Sequence, residues 1–164
     1  MRIVFAILAI LPGLAFAQSI SEKAAQDQVV DMKDEEPAMQ RAFEKARSTL
    51  DDFLVKSKAP LAGTSSYSLK LAVRGNSETE YFWVNEFTWS GDSFTGRINN
   101  EPRLVKGIKL GQLYKFSRSQ IVDWTYLDEK SRKTYGNFTA CALLSKEPPG
   151  EAEELKRRYG LQCQ

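Results

Sequence analysis

The stretch from Gln120 to Leu144, QIVDWTYLDEKSRKTYGNFTACALL, constrains the fold more than any other. Ile121, Val122, Trp124, Tyr126 and Leu127 crowd β-branched and aromatic side chains into one run, which suits a pleated, half-buried strand. Asp128 to Lys133 is charged turn material. Tyr135-Gly136-Asn137 then breaks the pattern, and Phe138 to Leu144 resumes it as a short helix or turn, with Asn137 suited to the N-cap. Asp123 lies inside the strand between Val122 and Trp124, an unusual place for a carboxylate. It bonds a backbone N–H or a basic partner, or faces water by alternation. Otherwise it is an acid of raised pKa in an aromatic pocket, able to move protons.

Upstream, Tyr67, Leu69, Leu71 and Val73 alternate with polar or small residues. Glu80 to Trp89 forms a second, very aromatic strand, and Ser93 to Asn99 a third, with Gly96 as a bulge or a close approach. The short turns at Gly75-Asn76-Ser77 and Ser90-Gly91-Asp92 join these strands into an antiparallel meander. Strict period two puts Tyr81, Trp83, Phe87 and Trp89 on one face and Phe82 and Val84 on the other. Leu113 to Phe116 is expected to pair with Ile121 to Leu127.

Before the strands, Met39, Phe43, Ala46, Leu50, Phe53 and Leu54 recur at helical spacing. They predict one amphipathic helix of about five turns, with Asp34 as N-cap and Pro37 in its first turn. Glu151 to Tyr159 predicts a second helix with acids first and bases last, closed by Gly160. The expected fold is α+β. A curved antiparallel sheet of five or six strands carries one long N-terminal helix packed on a face and a short C-terminal helix.

The N-terminus sets the compartment. Met1-Arg2, the apolar run Ile3 to Leu11, Pro12-Gly13 and Ala15-Phe16-Ala17 have the order of a secretory signal peptide cleaved before Gln18. The chain then divides into a signal peptide (1–17), a polar segment (18–33) with a short strand at Gln28-Val29-Val30, an α+β domain (34–144) and a C-terminal tail (145–164). No later segment is apolar enough to span a membrane. The expected compartment is the periplasm. In an exported chain the only two cysteines, Cys141 and Cys163, form a disulfide; free thiols are the alternative.

The chain has no histidine, which removes Ser-His-Asp and Cys-His nucleophile systems and the usual zinc sites. No metal or cofactor is expected. Between Arg97 and Arg118 lie six bases and one acid, Glu101. These either attract an anionic partner or protect a sheet edge from pairing. Nucleic acid is not expected. The candidate binding surface combines Arg97, Arg103, Lys106 and Lys109 with Trp83, Asp123 and Trp124. Glu80, Glu86 and Asp123 are candidates for paired-carboxylate hydrolysis.

The segments MQRAFEKARSTLDDF, SYSLKLAV, EYFWV, SFTGRINNEP, IVDWTYL and YGNFTACALL together resemble the YegJ-like bacterial family, a domain of unknown function. The resemblance runs from about Val29 to Leu144 and implies a small, often exported α+β domain. It brings no catalytic residues with it. Where that family often has a histidine, this chain has Tyr81. The tail from Ser145 looks like a local addition. The expected function is non-catalytic binding of a protein or anionic cell-envelope partner, the inhibitor or immunity type included. The alternative is a hydrolase using paired carboxylates around Asp123.

Overall fold

Six antiparallel strands form one sheet in the order β4-β3-β2-β1-β5-β6. The strands are β1 Thr64–Arg74, β2 Thr79–Ser90, β3 Ser93–Ile98, β4 Leu113–Ser117, β5 Ile121–Asp128 and β6 Lys133–Gly136. The helices are α1 Pro37–Ser48, α2 Leu50–Lys58, α3 Phe138–Leu144 and α4 Pro149–Tyr159. The computed structural model describes residue 34, residues 36–75 and residues 78–163. The expected signal peptide, the polar segment and the strand at 28–30 lie outside the described residues, as do Asn76 and Ser77 of the first turn. Among the described residues, no helix is long and apolar enough to cross a membrane.

The sheet is strongly curved, and its connectivity requires this. Strand β4 is an edge, and β5 lies four strand spacings away, roughly 19 Å in a flat sheet. Yet only the 3-10 turn Arg118–Gln120 joins them, and that span reaches at most about 15 Å. The sheet therefore curls until the end of β4 meets the start of β5. Arg118 N donates to Asp92 O (3.0 Å), tying this corner to the β2–β3 turn. Bulges supply the bend. Register shifts occur in β1–β5 at Ser65/Ser68 and Lys70/Leu71, and in β2–β3 at Asn85/Thr88.

The β2 bulge corrects one expectation. Glu86 adopts φ 47°, so the alternation slips by one residue. Phe87 and Trp89 thereby join Phe82 and Val84 on the core face, where Phe87 stacks on Phe53 and Trp89 on Phe94. A second correction concerns pairing. β4 pairs with β3, and β5 pairs with β1 and β6. Gly96 is the close approach expected of it: a Cβ there would lie 2.4 Å from Val84 Cγ1.

The expected single long helix is two. Thr49 sits between α1 and α2 at φ −112°, and its Oγ1 donates back to Lys45 O (2.7 Å). Such back-bonding by Ser and Thr bends helices. The indole N–H of Trp124 completes the break by donating to Ala46 O and Thr49 Oγ1, both at 3.2 Å. The helix start also shifts, with Glu36 rather than Asp34 at the N-cap.

Leu50, Phe53 and Leu54 of α2 fill the main core with Leu69, Leu71, Phe82, Val84 and Trp124. Met39, Ala42 and Phe43 of α1 form a second cluster with Val122 of β5 and Ala142 of α3. Leu144, Ala152 and Leu155 form a third, under the C-terminal segment. The disulfide Cys141–Cys163 joins α3 to the chain beyond α4, and Leu161 bridges Thr134 of β6. Its 22-residue separation implies about 3 kcal/mol of stabilisation in the chain-entropy model. Reduction with dithiothreitol is expected to lower Tm by roughly 10 °C; an unchanged Tm would show that the bridge carries no stability.

Candidate functional site

Asp123 and Lys70 face each other across the β1–β5 pair. Alternation puts both on the face opposite Leu69, Leu71 and Trp124, under the start of α3. Asp123 is fully buried. Its Oδ1 accepts from Trp124 N (2.8 Å) and Phe138 N (3.2 Å), and its Oδ2 accepts from Thr139 N (2.8 Å) and Thr139 Oγ1 (2.6 Å). Asn137 precedes α3 in a left-handed conformation, φ 55°, and its side chain donates to Thr125 instead of capping the helix. Asp123 supplies the cap from another strand, satisfying N–H groups that the first turn of α3 leaves open.

Lys70 Nζ donates to Thr139 Oγ1 (3.0 Å), so one hydroxyl bridges the ammonium and the carboxylate. The same Nζ lies over the rings of Tyr81 and Trp83, each centroid 5.5 Å away. The Tyr81 hydroxyl donates to Asp34 Oδ1. Burial pushes the Asp123 carboxyl above the usual carboxylate range, opposed by the Lys70 charge and the Thr139 bonds. Burial pushes the Lys70 ammonium down, opposed by Asp123 and then Asp34. The result couples a buried carboxylate, its oxygens taken up by donors, to a half-buried ammonium. That arrangement anchors α3 and leaves no open position at which Asp123 would meet a reactant.

The other two candidate acids lie elsewhere. Glu80 pairs with Val73 and so sits on the opposite face of the sheet from Asp123. It is buried, and its carboxylate accepts from three consecutive amides, Arg103 N (2.7 Å), Leu104 N (3.0 Å) and Val105 N (2.7 Å). Glu80 thus pins the long β3–β4 loop. Glu86 is exposed on its bulge and pairs with Arg97 Nε at 2.9 Å. The three carboxylates do not converge.

Of the residues expected on a binding surface, two are interior. Asp123 is buried as described, and Trp124 is 8 % exposed in the main core. Trp83 is half-buried on the outer face beside Lys70, and Arg97 is exposed but bonded to Glu86 and Gly111 O. Arg103, Lys106 and Lys109 share the β3–β4 loop, and all three are exposed. Between and beyond them stand Leu104 and Leu110, 47 % and 50 % exposed. Sequence reasoning missed Lys70, read there as an ordinary polar alternate, and Thr139. It also missed Glu80 as the anchor of the basic loop; the signal was an acid at a core-facing position of the aromatic strand, two residues ahead of Phe82. Among the described residues, no group of three or more acids or cysteines is placed to hold a metal ion.

Residues 36–163 match a family described as an uncharacterized protein conserved in bacteria, DUF2314. The match takes in the C-terminal segment with α4 and Cys163. The chain is also 30 % identical over 146 residues to the uncharacterized protein YegJ of Escherichia coli (strain K12), covering 89 % of this chain and 93 % of that protein. No solved structure matches. A match over most of the chain, ending on the disulfide cysteine, settles membership: the chain belongs to the bacterial DUF2314 family.

Proposed function

We propose that this protein is an exported, non-catalytic binding protein that engages an anionic partner in the periplasm through its β3–β4 loop. One observation carries the reading: the loop presents Arg103, Lys106 and Lys109 with exposed Leu104 and Leu110, while the buried Glu80 carboxylate holds its backbone. A loop fixed in this way meets its partner with little ordering cost. Its bases supply attraction, and its leucines supply apolar area to bury. The disulfide and the order of the N-terminal residues support export. The satisfied state of Asp123, and its separation from Glu80 and Glu86, support holding over hydrolysis.

The test is co-sedimentation of the processed protein with washed cell envelopes. Binding is expected at low salt and to fall as salt rises. The triple variant Arg103→Glu, Lys106→Glu and Lys109→Glu is expected to lose roughly tenfold or more in affinity, since each base near an anionic surface contributes about 1 kcal/mol. Equal sedimentation of the variant and the parent protein would overturn the reading.

A further inference from the structure

The outer face of the sheet is covered at Ala72, Tyr81 and Asp123 by α1 and α3, and a groove follows beside that cover. Ser68 pairs with Thr125 across β1 and β5, and Trp83 pairs with Lys70 across β2 and β1, so all four share this face. A groove of about 300 Å³ opens there, lined by Ser66, Ser68, Trp83, Asn99, Thr125 and Asn137. That volume is at the small end of ligand sites.

We infer that this groove binds a neutral saccharide, with Trp83 as the stacking platform and the surrounding hydroxyls and amides as its hydrogen-bond partners. The lining contains one indole and five neutral polar side chains. An apolar ligand would bury those polar groups without partners, at a cost. A charged ligand would find no opposite charge in the lining. Among the described residues, the cation that lies over the Trp83 ring, Lys70, is already held by Thr139. A sugar ring offers C–H groups to an aromatic surface and hydroxyls around its rim, which matches both parts of the lining.

The polar groups are available. Among the described residues, the side chains of Trp83, Asn99 and Ser66 make no hydrogen bond. Thr125 accepts from Asn137 Nδ2 at 3.0 Å, which leaves its O–H and Asn137 Oδ1 for a ligand. The platform is held in place. Asn100 Oδ1 accepts from Trp83 N at 2.7 Å, and Lys70 Nζ lies over the ring. Among the described residues, two of the four non-glycine residues with positive φ, Ser66 (57°) and Asn137 (55°), border this groove. Such backbone positions gather at binding sites.

The experiment titrates the processed protein with triacetylchitotriose and with maltotriose, using amide NMR shifts as the readout. A neutral tripeptide and inorganic phosphate are the controls. At least one saccharide is expected to shift Ser68, Trp83 and Thr125, with a Kd of about 1 mM or tighter. Trp83→Ala is expected to raise that Kd roughly tenfold, the scale of one lost aromatic contact. Ser68→Glu, which charges the rim without touching the core, is expected to do the same with Tm unchanged. The loop variant Arg103→Glu, Lys106→Glu, Lys109→Glu is expected to retain saccharide binding, so this site and the basic loop stand or fall separately. No shift with either saccharide at about 20 mM overturns the inference. So does saccharide binding that persists in Ser68→Glu and Trp83→Ala, or occupation of the groove by the tripeptide or phosphate instead.

Discussion

Asp123→Ala is expected to destabilise the protein by about 3–5 kcal/mol, because it strands a buried partner charge and four donors at once. Lys70 would lose the largest charge that supports its ammonium, at a site where burial already pushes it down, and would keep the Thr139 hydroxyl and the weaker pull of Asp34. Phe138 N and Thr139 N would lose their acceptor, and α3 would lose its cap. The double variant Asp123→Leu, Lys70→Met removes both charges and is expected to cost much less than the single change. Urea denaturation measures both. A single-variant cost below about 1.5 kcal/mol would remove the ion couple as the anchor of α3.

The couple also sets an unusual pH dependence. The native pKa of Asp123 is raised above its unfolded value of 3.8. Between those two values the native protein holds a proton that the unfolded chain does not. Stability from this group therefore rises as pH falls through that window, opposite to a carboxylate of depressed pKa. Asp123→Asn lacks the titration, so the stability advantage of the parent protein over this variant is expected to widen on acidification. Lys70 titrates in the opposite sense. Its native pKa lies below 10.5, and between its native value and 10.5 its contribution rises with pH.

Local patterns were legible where local chemistry decides. The alternation in β1, the turn residues between β2 and β3, and the dipole-matched charges of α4 each sit within a few residues of what they determine. The cysteine pair needed only a compartment argument. What could not be read depends on contacts distant in sequence. Ser48 and Thr49 look acceptable inside a helix until Trp124 arrives from 75 residues away to take Thr49 Oγ1. The bulge at Glu86 has no glycine to announce it, so the aromatic faces of β2 came out wrong beyond Asn85. β6 was hidden where the charged turn gives way to the Tyr135-Gly136-Asn137 break, and its place is fixed by pairing with β5 and by the bridge from Leu161. Asp123 could be recognised as an oddity, but its role depends on where α3 begins. The charges on the β3–β4 loop were visible; the buried glutamate that holds the loop was not.

Trp124→Ala is expected to cost about 3–5 kcal/mol, the range for deleting a large buried aromatic. The ring stacks on Phe53 (4.9 Å), meets Phe138 edge-on (5.3 Å) and lies beside Tyr126 (6.2 Å). It therefore connects α2, α3 and β5 in one residue. Trp124→Phe keeps most of that area and loses the two indole hydrogen bonds, for an expected cost of about 1–2 kcal/mol. Those bonds end on Ala46 O and Thr49 Oγ1, where α1 gives way to α2. If the indole holds the break, Thr49→Ala and Trp124→Phe share one interaction, and their costs must fall short of additivity by about 0.5–1 kcal/mol in a double-mutant cycle. Simple addition of the two costs would mean that Thr49 bends the helix alone, through its bond to Lys45 O, and that Trp124 only fills space. Partial additivity would instead tie the division of the helix to the strand that carries Asp123, so that one residue positions the helices on both sides of the sheet.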